Sequence, residues 1–406
     1  MGELFRIKHG YAFKGEYFAD EGPYIVMTPG NFYDQGGFRS KGDKEKRYTG
    51  AFPGEYLLNK GDLLVAMTEQ AVGLLGSAAV VPEDNLYLHN QRLGLVTDLS
   101  NDADKSYLYY LFNSQDIRDQ IQASANGAKV RHTSPGRILA IQAAIPPLLV
   151  QLQVAGVLSA YDDLIENNTR RIAILEEMAR ALYREWFVEF RFPGRGTSGS
   201  CQDPSGRSLP RAWSIKKLDE IADIVMGQSP KSEFYNDRAE GLPFHQGVTN
   251  FGKRFPRHRV YCTELQRVAE PRDVLVSVRA PVGRLNIADT QLVLGRGLCA
   301  VRARPGWQTF VFEQLRVIFK EEDSMGSGTI FKAVTKADMT GIEMVVPPDD
   351  LVHHFEQTVG PMAAEVQVLD RMNANLQRTR DLLLPKLISG EIDVSELDID
   401  VGEPAA

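Results

Sequence analysis

The chain repeats itself, and the spacing of the repeat limits what it can fold into. "GAKV" at Gly127 matches "GTIF" at Gly328, "AAIPPLLVQ" at Ala143 matches "MVVPPDDLV" at Met344, and "RIAILEEMARAL" at Arg171 matches "MNANLQRTRDLL" at Met372, each pair 201 positions apart. Upstream the match loosens but persists: "HGYAFKGEYF" at His9 parallels "MGQSPKSEFY" at Met226, "KGDLLVAM" at Lys60 parallels "PRDVLVSV" at Pro271, and "AVG" at Ala71 parallels "PVG" at Pro281. Solenoids and propellers stack several short units, whereas two copies of about 200 residues predict a molecule with pseudo-twofold symmetry.

Each copy changes character at its Pro-Pro pair. Before it, short runs such as "DLLVAM", "AAVVP" and "LGLVTD" in the first copy and "DVLVSV" and "LCAVRA" in the second are broken by Gly, Pro, Asn and Asp. They predict short strands and turns, with one or two helices such as "KSYLYYLFNSQDIRDQI". After the Pro-Pro pair comes one long helix. Its apolar residues in the first copy are Leu158, Tyr161, Ile165, Ile172, Leu175, Ala179, Leu182 and Trp186, with Asn168 filling a gap in the stripe. In the second copy they are Val359, Met362, Val366, Leu369, Leu376 and Leu383, with Asn373 and Arg380 on the same seam. A period of about 3.5 residues kept over four heptads is the pattern of a coiled coil, so the two helices are expected to pair with each other.

If they run antiparallel with Asn168 facing Asn373, Leu158 falls opposite Leu383, Ile165 opposite Leu376, Ile172 opposite Leu369, Leu175 opposite Val366, Ala179 opposite Met362 and Leu182 opposite Val359. Tyr161 then faces Arg380. Two buried amides can satisfy one another, whereas a slip of one heptad sets each against an apolar residue at a cost of about 1–3 kcal/mol. The Asn168/Asn373 layer is therefore expected to set the register, and a solvent-facing polar position where the helices splay is the alternative. "RFPGRGTSGSCQDPSGRSLPR" between the copies predicts an exposed linker. Pro385 is expected to end the second helix and Gly390 to make the following turn.

A net charge of -7 argues at first against nucleic acid as a partner. The charge is uneven, however: residues 213–346 carry 19 basic and 16 acidic side chains, while 347–406 carry 4 and 12. Because salt screens charge beyond about 10 Å, an acidic tail does not cancel a basic surface elsewhere. Cys201, Cys262 and Cys299 are odd in number and in no ligand spacing, so they read as unpaired thiols of a reducing compartment. The first twenty residues, with Glu3, Arg6, Lys8, Lys14, Glu16 and Asp20, hold no apolar run, which predicts neither a signal peptide nor a membrane span there and a cytoplasmic protein.

In "PPLLVQLQVAGVLSAYDDLIENNTRRIAILEEMARALYREWF", "LPRAWSIKKLDEIADIVMGQSP" and "LLLPKLISGEIDV", the chain resembles the DNA specificity (S) subunit of type I restriction-modification systems over essentially its whole length. The resemblance implies an α+β fold: two pseudo-symmetric target recognition domains of mixed strands and helices, separated by two long antiparallel helices that form a coiled coil. It assigns residues 1–145 to the first recognition domain, 146–190 to a central spacer helix, 191–212 to a linker, 213–346 to the second domain, 347–390 to a C-terminal spacer helix and 391–406 to an acidic tail. One departure is that "LPRAWSIKKL" precedes Leu218 while only three residues precede the matching Leu4, so about nine residues of the second opening lack a counterpart.

The resemblance further implies a non-catalytic subunit that holds no cofactor. Each recognition domain would read one half of a split target in double-stranded DNA. The helices would set the spacing and dock two adenine-N6 methyltransferase subunits, joined by restriction/translocase subunits, so that S-adenosylmethionine, ATP and Mg belong to the partners. The helices span roughly 50–60 Å at 1.5 Å per residue, enough for half-sites about one DNA turn apart. The residues agree, since no phosphate-binding loop, Asn-Pro-Pro-aromatic motif or nuclease carboxylate set is present. "GSGT" at Gly326 lacks the lysine of a phosphate loop and reads as a turn. His9, His89, His245, His353 and His354 have no metal-ligand spacing. A coiled-coil scaffold would leave the two large modules unexplained, and a DNA-modifying enzyme would need motifs the chain lacks.

Candidate DNA contacts are basic and amide residues beside glycine turns, which suit phosphate positioning and base-edge readout. The first set follows the repeated glycine: Lys129, Arg131 and His132 after Gly127, and Lys332 and Lys336 after Gly328. The second is Asn90, Gln91 and Arg92 with Arg296. The third is Lys41, Lys44, Lys46 and Arg47 with Lys253, Arg254, Arg257 and Arg259. Phe13, Tyr17, Phe18, Phe234 and Tyr235 could stack on bases, although core packing is the expected role.

Overall fold

The computed structural model describes residues 1–69, 73–127, 130–194, 200–202, 208–319 and 334–397. The chain divides into two compact units, Met1–Asn167 with Asn373–Ala406, and Asn168–Met372. The division falls inside the two long helices, so each unit takes part of both.

In the first unit the strands are β1 (Arg6–His9), β2 (Phe18–Ala19), β3 (Tyr24–Met27), β4 (Arg47–Tyr48), β5 (Leu63–Ala66), β6 (Ala78–Val80), β7 (Tyr87–His89) and β8 (Leu93–Thr97). They form two sheets, β1-β8-β5-β6, antiparallel throughout, and β2-β4-β3-β7, in which β3 and β7 run parallel. Helices α1 (Lys105–Asn113), α2 (Gln115–Ala123) and α3 (Pro135–Leu139) follow, then α4 (Leu148–Tyr183). The Asp104 carboxylate caps α1 by accepting from the Tyr107 amide at 2.7 Å.

The second unit repeats this plan. A hairpin of β9 (Ser200–Gln202) and β10 (Ser208–Pro210) precedes β11 (Ser214–Lys217) and β12 (Ala222–Met226). There follow β13 (Tyr235–Asn236), β14 (Leu242–His245), β15 (Tyr261–Cys262), β16 (Val268–Ala269), β17 (Val274–Ser277), β18 (Leu285–Ile287), β19 (Leu292–Leu294) and β20 (Leu298–Ala303). Helices α5 (Gln308–Ile318) and α6 (Lys336–Thr340), strand β21 (Glu343–Val346) and helix α7 (Asp349–Ile388) complete it. Sheet β12-β20-β17-β18 matches β1-β8-β5-β6, and β13-β15-β14-β19-β16 again contains one parallel pair, β14 with β19.

The apolar runs of the sequence have a physical reason here. All four residues of β5 are buried. Leu63 and Val65 face a core shared with α1 and α4, while Leu64 and Ala66 face a second core formed with the other sheet. Val274 and Val276 of β17 face the helices and Leu275 the other sheet in the same way. A strand covered on both faces cannot alternate apolar with polar, and each such Leu or Val stabilises by about 1.5–3 kcal/mol.

Within each unit the long helices run antiparallel. In the first, Arg380 pairs with Asp162, which also accepts from the Tyr110 hydroxyl at 2.7 Å, and the Asn373 amide donates to the Ile165 carbonyl at 3.3 Å. Leu158 and Leu383 pack in one core, the pairing expected from the seam. In the second, Arg171 lies 2.6 Å from Glu365, and Trp186 meets Phe355 at 5.9 Å, on the register read from sequence. Asn168 and Asn373 are 5% and 8% exposed, so neither is the solvent-facing position held as the alternative.

Two expectations change. Helix α7 continues through Pro385 to Ile388, and the Ser389 amide donates to the Pro385 carbonyl at 3.0 Å. Proline this near a helix end forfeits a single N–H bond, while Leu383, Leu384, Leu387 and Ile388 all pack into the first core. Gly390, at φ +76°, makes the turn as expected. Second, part of the supposed linker is structured: β9 pairs with β10, Leu209 is buried, and Phe192 packs against Trp213 at 5.7 Å. Leu148–Val188 also holds an 18-residue window of mean hydropathy 1.3, long and apolar enough by composition to cross a membrane. Its apolar face is engaged by protein, through Val154, Ala155 and Leu158 in the first core and Ala179, Tyr183 and Trp186 in the second.

Candidate nucleic-acid interface

One hydrogen-bond ladder recurs at the same end of both modules. In the first, the Tyr11 amide donates to His89 at 2.9 Å and the Gln91 amide to Tyr11 at 3.0 Å. Met67, just past β5, donates to Arg92 and accepts from Thr133, each at 2.9 Å. In the second, Gln228 donates to Leu294 at 2.9 Å, while Val278, just past β17, donates to Gly297 at 2.9 Å and accepts from Val334 at 2.8 Å. Arg92 thus corresponds to Gly297, Gln91 to Arg296 and Thr133 to Val334. Two of the sets read from sequence, the loop after β7 or β19 and the segment entering α3 or α6, are thereby brought together around one backbone position in each module.

The close approach of these segments depends on glycine. A Cβ on Gly10 would lie 2.1 Å from the Asn90 carbonyl oxygen, and one on the matching Gly227 would lie 2.2 Å from that of Gly295. Neither contact is possible for a side chain, so both positions fix how near the first strand comes to the loop after β7 or β19.

Individual residues now separate by role. Arg92, Arg296, His132 and Lys336 are exposed, and Gln91 is half-buried. Asn90 is 7% exposed and its side-chain oxygen accepts from the Arg92 amide at 3.1 Å, so it shapes the turn rather than facing a ligand. Arg131 is half-buried and donates to the Gln122 carbonyl near the end of α2. His132 lies in a bridge with Asn126, its Nδ1 3.1 Å from the Thr68 hydroxyl. Lys336 opens α6, whose cap is reciprocal: the Thr335 hydroxyl accepts from the Asp338 amide at 3.2 Å, and the Asp338 carboxylate accepts from the Thr335 amide at 2.8 Å. Lys129, Lys332, Ala71 and the "GSGT" and "GTIF" stretches lie outside the described residues.

The third set does not hold together. Strand pairing places Lys46 opposite Val26 and Val260 opposite Phe244, the carbonyls of Lys46 and Val260 each accepting at 2.8 Å, so the counterpart of Lys44–Lys46 is His258–Val260, which contains Arg259 but not Lys253, Arg254 or Arg257. Lys44, Lys46, Lys253, Arg257 and Arg259 are exposed. Arg47 sits on β4 and donates to the Gly22 carbonyl at 3.2 Å. Lys41 points inward to Thr28 at 3.0 Å and Asn31 at 2.9 Å, and burial lowers its ammonium pKa. Arg254 is corrected outright: it is 6% exposed, bonds Glu176 of α4 at 3.2 Å and lies 4.7 Å from the Phe312 ring. A guanidinium held there braces the sheet against the helices and cannot reach a duplex.

The buried histidines are structural. His89 bonds the Leu93 carbonyl at 2.9 Å, and burial pushes its pKa down to about 4. His245 shares a 3.0 Å hydrogen bond with His258, which reaches Asp289 at 3.1 Å, and burial, then the neighbouring His258, lowers the His245 pKa to about 4. Of the aromatics named above, Tyr235 stacks on Phe244 at 4.5 Å and Phe13 and Phe18 pack edge-on to Tyr48, while Tyr17 is exposed. Among the described residues no group of three or more His, Cys, Asp or Glu could hold a metal ion. Sequence reading missed Gln246 and Ser229, which join Arg296 in one exposed cluster at the end of β14. The signal available was the "HQG" step directly after an apolar strand run.

Fold and loops together define a two-module α+β protein, built on paired antiparallel helices, whose modules offer matched loop ends rich in amide and guanidinium donors. Residues 1–177 match the family described as the type I restriction modification DNA specificity domain. The MjaX type I restriction enzyme specificity subunit of Methanocaldococcus jannaschii is 28% identical over 84% of this chain and 80% of its own length. The MjaIX specificity subunit of the same organism is 24% identical over 72% of this chain and 70% of its own. The crystal structure of a type I restriction-modification S subunit from M. genitalium shares the fold, with a TM-score of 0.63 at 17% identity over 95% of this chain and 94% of that one. Over residues 1–177 the chain thus matches that specificity-domain family, and across most of its length it is similar to type I restriction enzyme specificity subunits.

Proposed function

We propose that the chain selects DNA sequence for a type I restriction-modification complex, each module reading one half of an asymmetric bipartite target. The observation that carries this reading is the repeated ladder. The same backbone scaffold presents Gln91 and Arg92 in one module and Arg296 in the other, so one mode of docking delivers two different sets of side chains. Unlike residues at equivalent places support unlike half-sites. The mechanism is binding alone. Exposed Lys44, Lys46, Lys253, Arg257 and Lys336, with Lys129 and Lys332, supply phosphate contacts that position the duplex, while Gln91, Arg92 and Arg296 face base edges in the major groove.

The chain itself is proposed to do no chemistry. Two adenine-N6 methyltransferase subunits would bring S-adenosylmethionine, restriction/translocase subunits would bring ATP and Mg, and the complex would act in the cytoplasm, where its DNA substrate is met. An electrophoretic shift assay, with the chain alone and with its methyltransferase partner, tests this. Salt-sensitive retention of DNA carrying one bipartite site, but not of scrambled DNA, is expected, and retention indifferent to sequence would overturn it.

A further inference from the structure

Resting on that reading, the base chemistry of the second half-site can be argued from three side chains. Strand β14 ends at the buried His245, and the next residue, Gln246, is exposed. Its backbone is fixed by the "GRG" loop, since Gly295 donates to the His245 carbonyl at 2.8 Å and Gly297 to the Gln246 carbonyl at 3.0 Å. A Cβ on Gly295 would lie 2.6 Å from the Gln246 Cα and 2.8 Å from its Oε1, so only glycine lets the loop close over this glutamine. Ser229 ties the cluster together: its hydroxyl donates to Gln246 Oε1 at 2.7 Å and accepts from the Arg296 amide at 3.2 Å.

That arrangement decides what the cluster can offer a ligand. A free glutamine presents one acceptor and one donor side by side, the combination that matches the N6 amino group and N7 of adenine. Here the Ser229 hydroxyl holds one lone pair of that oxygen, which fixes the amide with its two Nε2 hydrogens turned free. Arg296 adds donors only. Among the described residues neither the Gln246 amide nitrogen nor the Arg296 guanidinium has a protein partner. A surface dominated by donors matches the base edge that carries acceptors without a donor, which in the major groove is O6 and N7 of guanine. We infer that Arg296 and Gln246, held by Ser229, are specificity-determining residues that read guanine in the half-site of the second module. In the first module the position of Arg296 is taken by Gln91, whose backbone bonds the Tyr11 carbonyl at 3.0 Å instead of a serine hydroxyl, so the first half-site is not bound to the same preference.

The test is selection from a DNA library with randomised half-sites, using the full chain assembled with its methyltransferase subunits. Wild type should yield a bipartite motif with guanine in one half. Arg296→Ala should lower the preference for guanine at one position about 10- to 100-fold and leave the other half untouched, the intact half serving as the control for folding. Ser229→Ala frees the Gln246 oxygen and should admit adenine at a position where wild type takes guanine. Uniform weakening across all sequences, as a phosphate contact would give, overturns the inference while leaving the proposed function standing. A wild-type selection that returns no bipartite motif overturns the proposed function itself.

Discussion

Replacing Arg254 by methionine separates a brace from a DNA contact. The guanidinium lies 3.2 Å from Glu176 Oε1 and 4.7 Å from the Phe312 ring, and its side chain is 6% exposed. Removing one partner of a buried ion pair costs about 3–5 kcal/mol because the other charge is left in a poor solvent. Glu176 is less isolated than that limit assumes, at 22% exposed with Arg180 at 3.7 Å, so the cost falls to about 2–3 kcal/mol. At roughly 2–4 °C per kcal/mol for a unit of this size, the midpoint should drop by about 5–10 °C. Fluorescence reads this change selectively, because Trp186, Trp213 and Trp307 are the only tryptophans and all three lie in the core of the second unit. The salt dependence of DNA binding should be unchanged below the new midpoint. Pairing the substitution with Glu176→Leu should restore most of the loss, since an apolar pair leaves no stranded charge. An unchanged midpoint together with a salt slope reduced by about one would refute the assignment and return Arg254 to the DNA surface.

Other outcomes follow from the same geometry. His89 and His245 have folded pKa values of about 4, below the ordinary 6.5, so the folded state prefers them neutral. Their contribution is fully present above about pH 6.5 and is lost as pH falls toward 4, at most about 3 kcal/mol each. His89→Leu should therefore flatten the acid limb of amide-exchange protection in the first unit, and an unaltered limb counts against the account. Gln151 is fully buried, donating to Asp102 at 2.8 Å and Pro146 at 2.9 Å and accepting from the Asp104 amide at 3.0 Å. Gln151→Leu strands all three groups and should cost about 3 kcal/mol or more in denaturant titration, and a loss below about 1 kcal/mol would contradict their burial. Gly227→Ala forces a methyl against the Gly295 carbonyl, and should abolish selectivity for one half-site while sparing the other. A variant with both halves intact would show that the close approach is dispensable.

How much of this was legible in the sequence depends on how local each cause is. The Pro-Pro pairs, the apolar runs of β5 and β17 and the heptad stripe are short-range signals, and they located the central strands and paired helices. Arg254 was not legible, because "KRFPRHR" looks like a solvated basic loop until Glu176, 78 positions earlier, arrives beside it. The fixed amide orientation of Gln246 has the same origin, since Ser229 lies 17 residues away and the glycine that admits the contact is on another loop. The basic residues of the third set match only at Arg259 because the connection from β3 to β4 is longer than that from β14 to β15, and only the strand register reveals the true counterparts. Pro385 misled through a local rule that the packing of Leu387 and its neighbours outweighed.

The central claim is that two structurally equivalent modules read two unrelated half-sites. Single-molecule sequencing of methylated adenines, in DNA from cells expressing the chain with its methyltransferase subunits, addresses it directly. The expected result is one motif of two dissimilar defined halves flanking an undefined gap of fixed length. A palindromic or contiguous motif would contradict it.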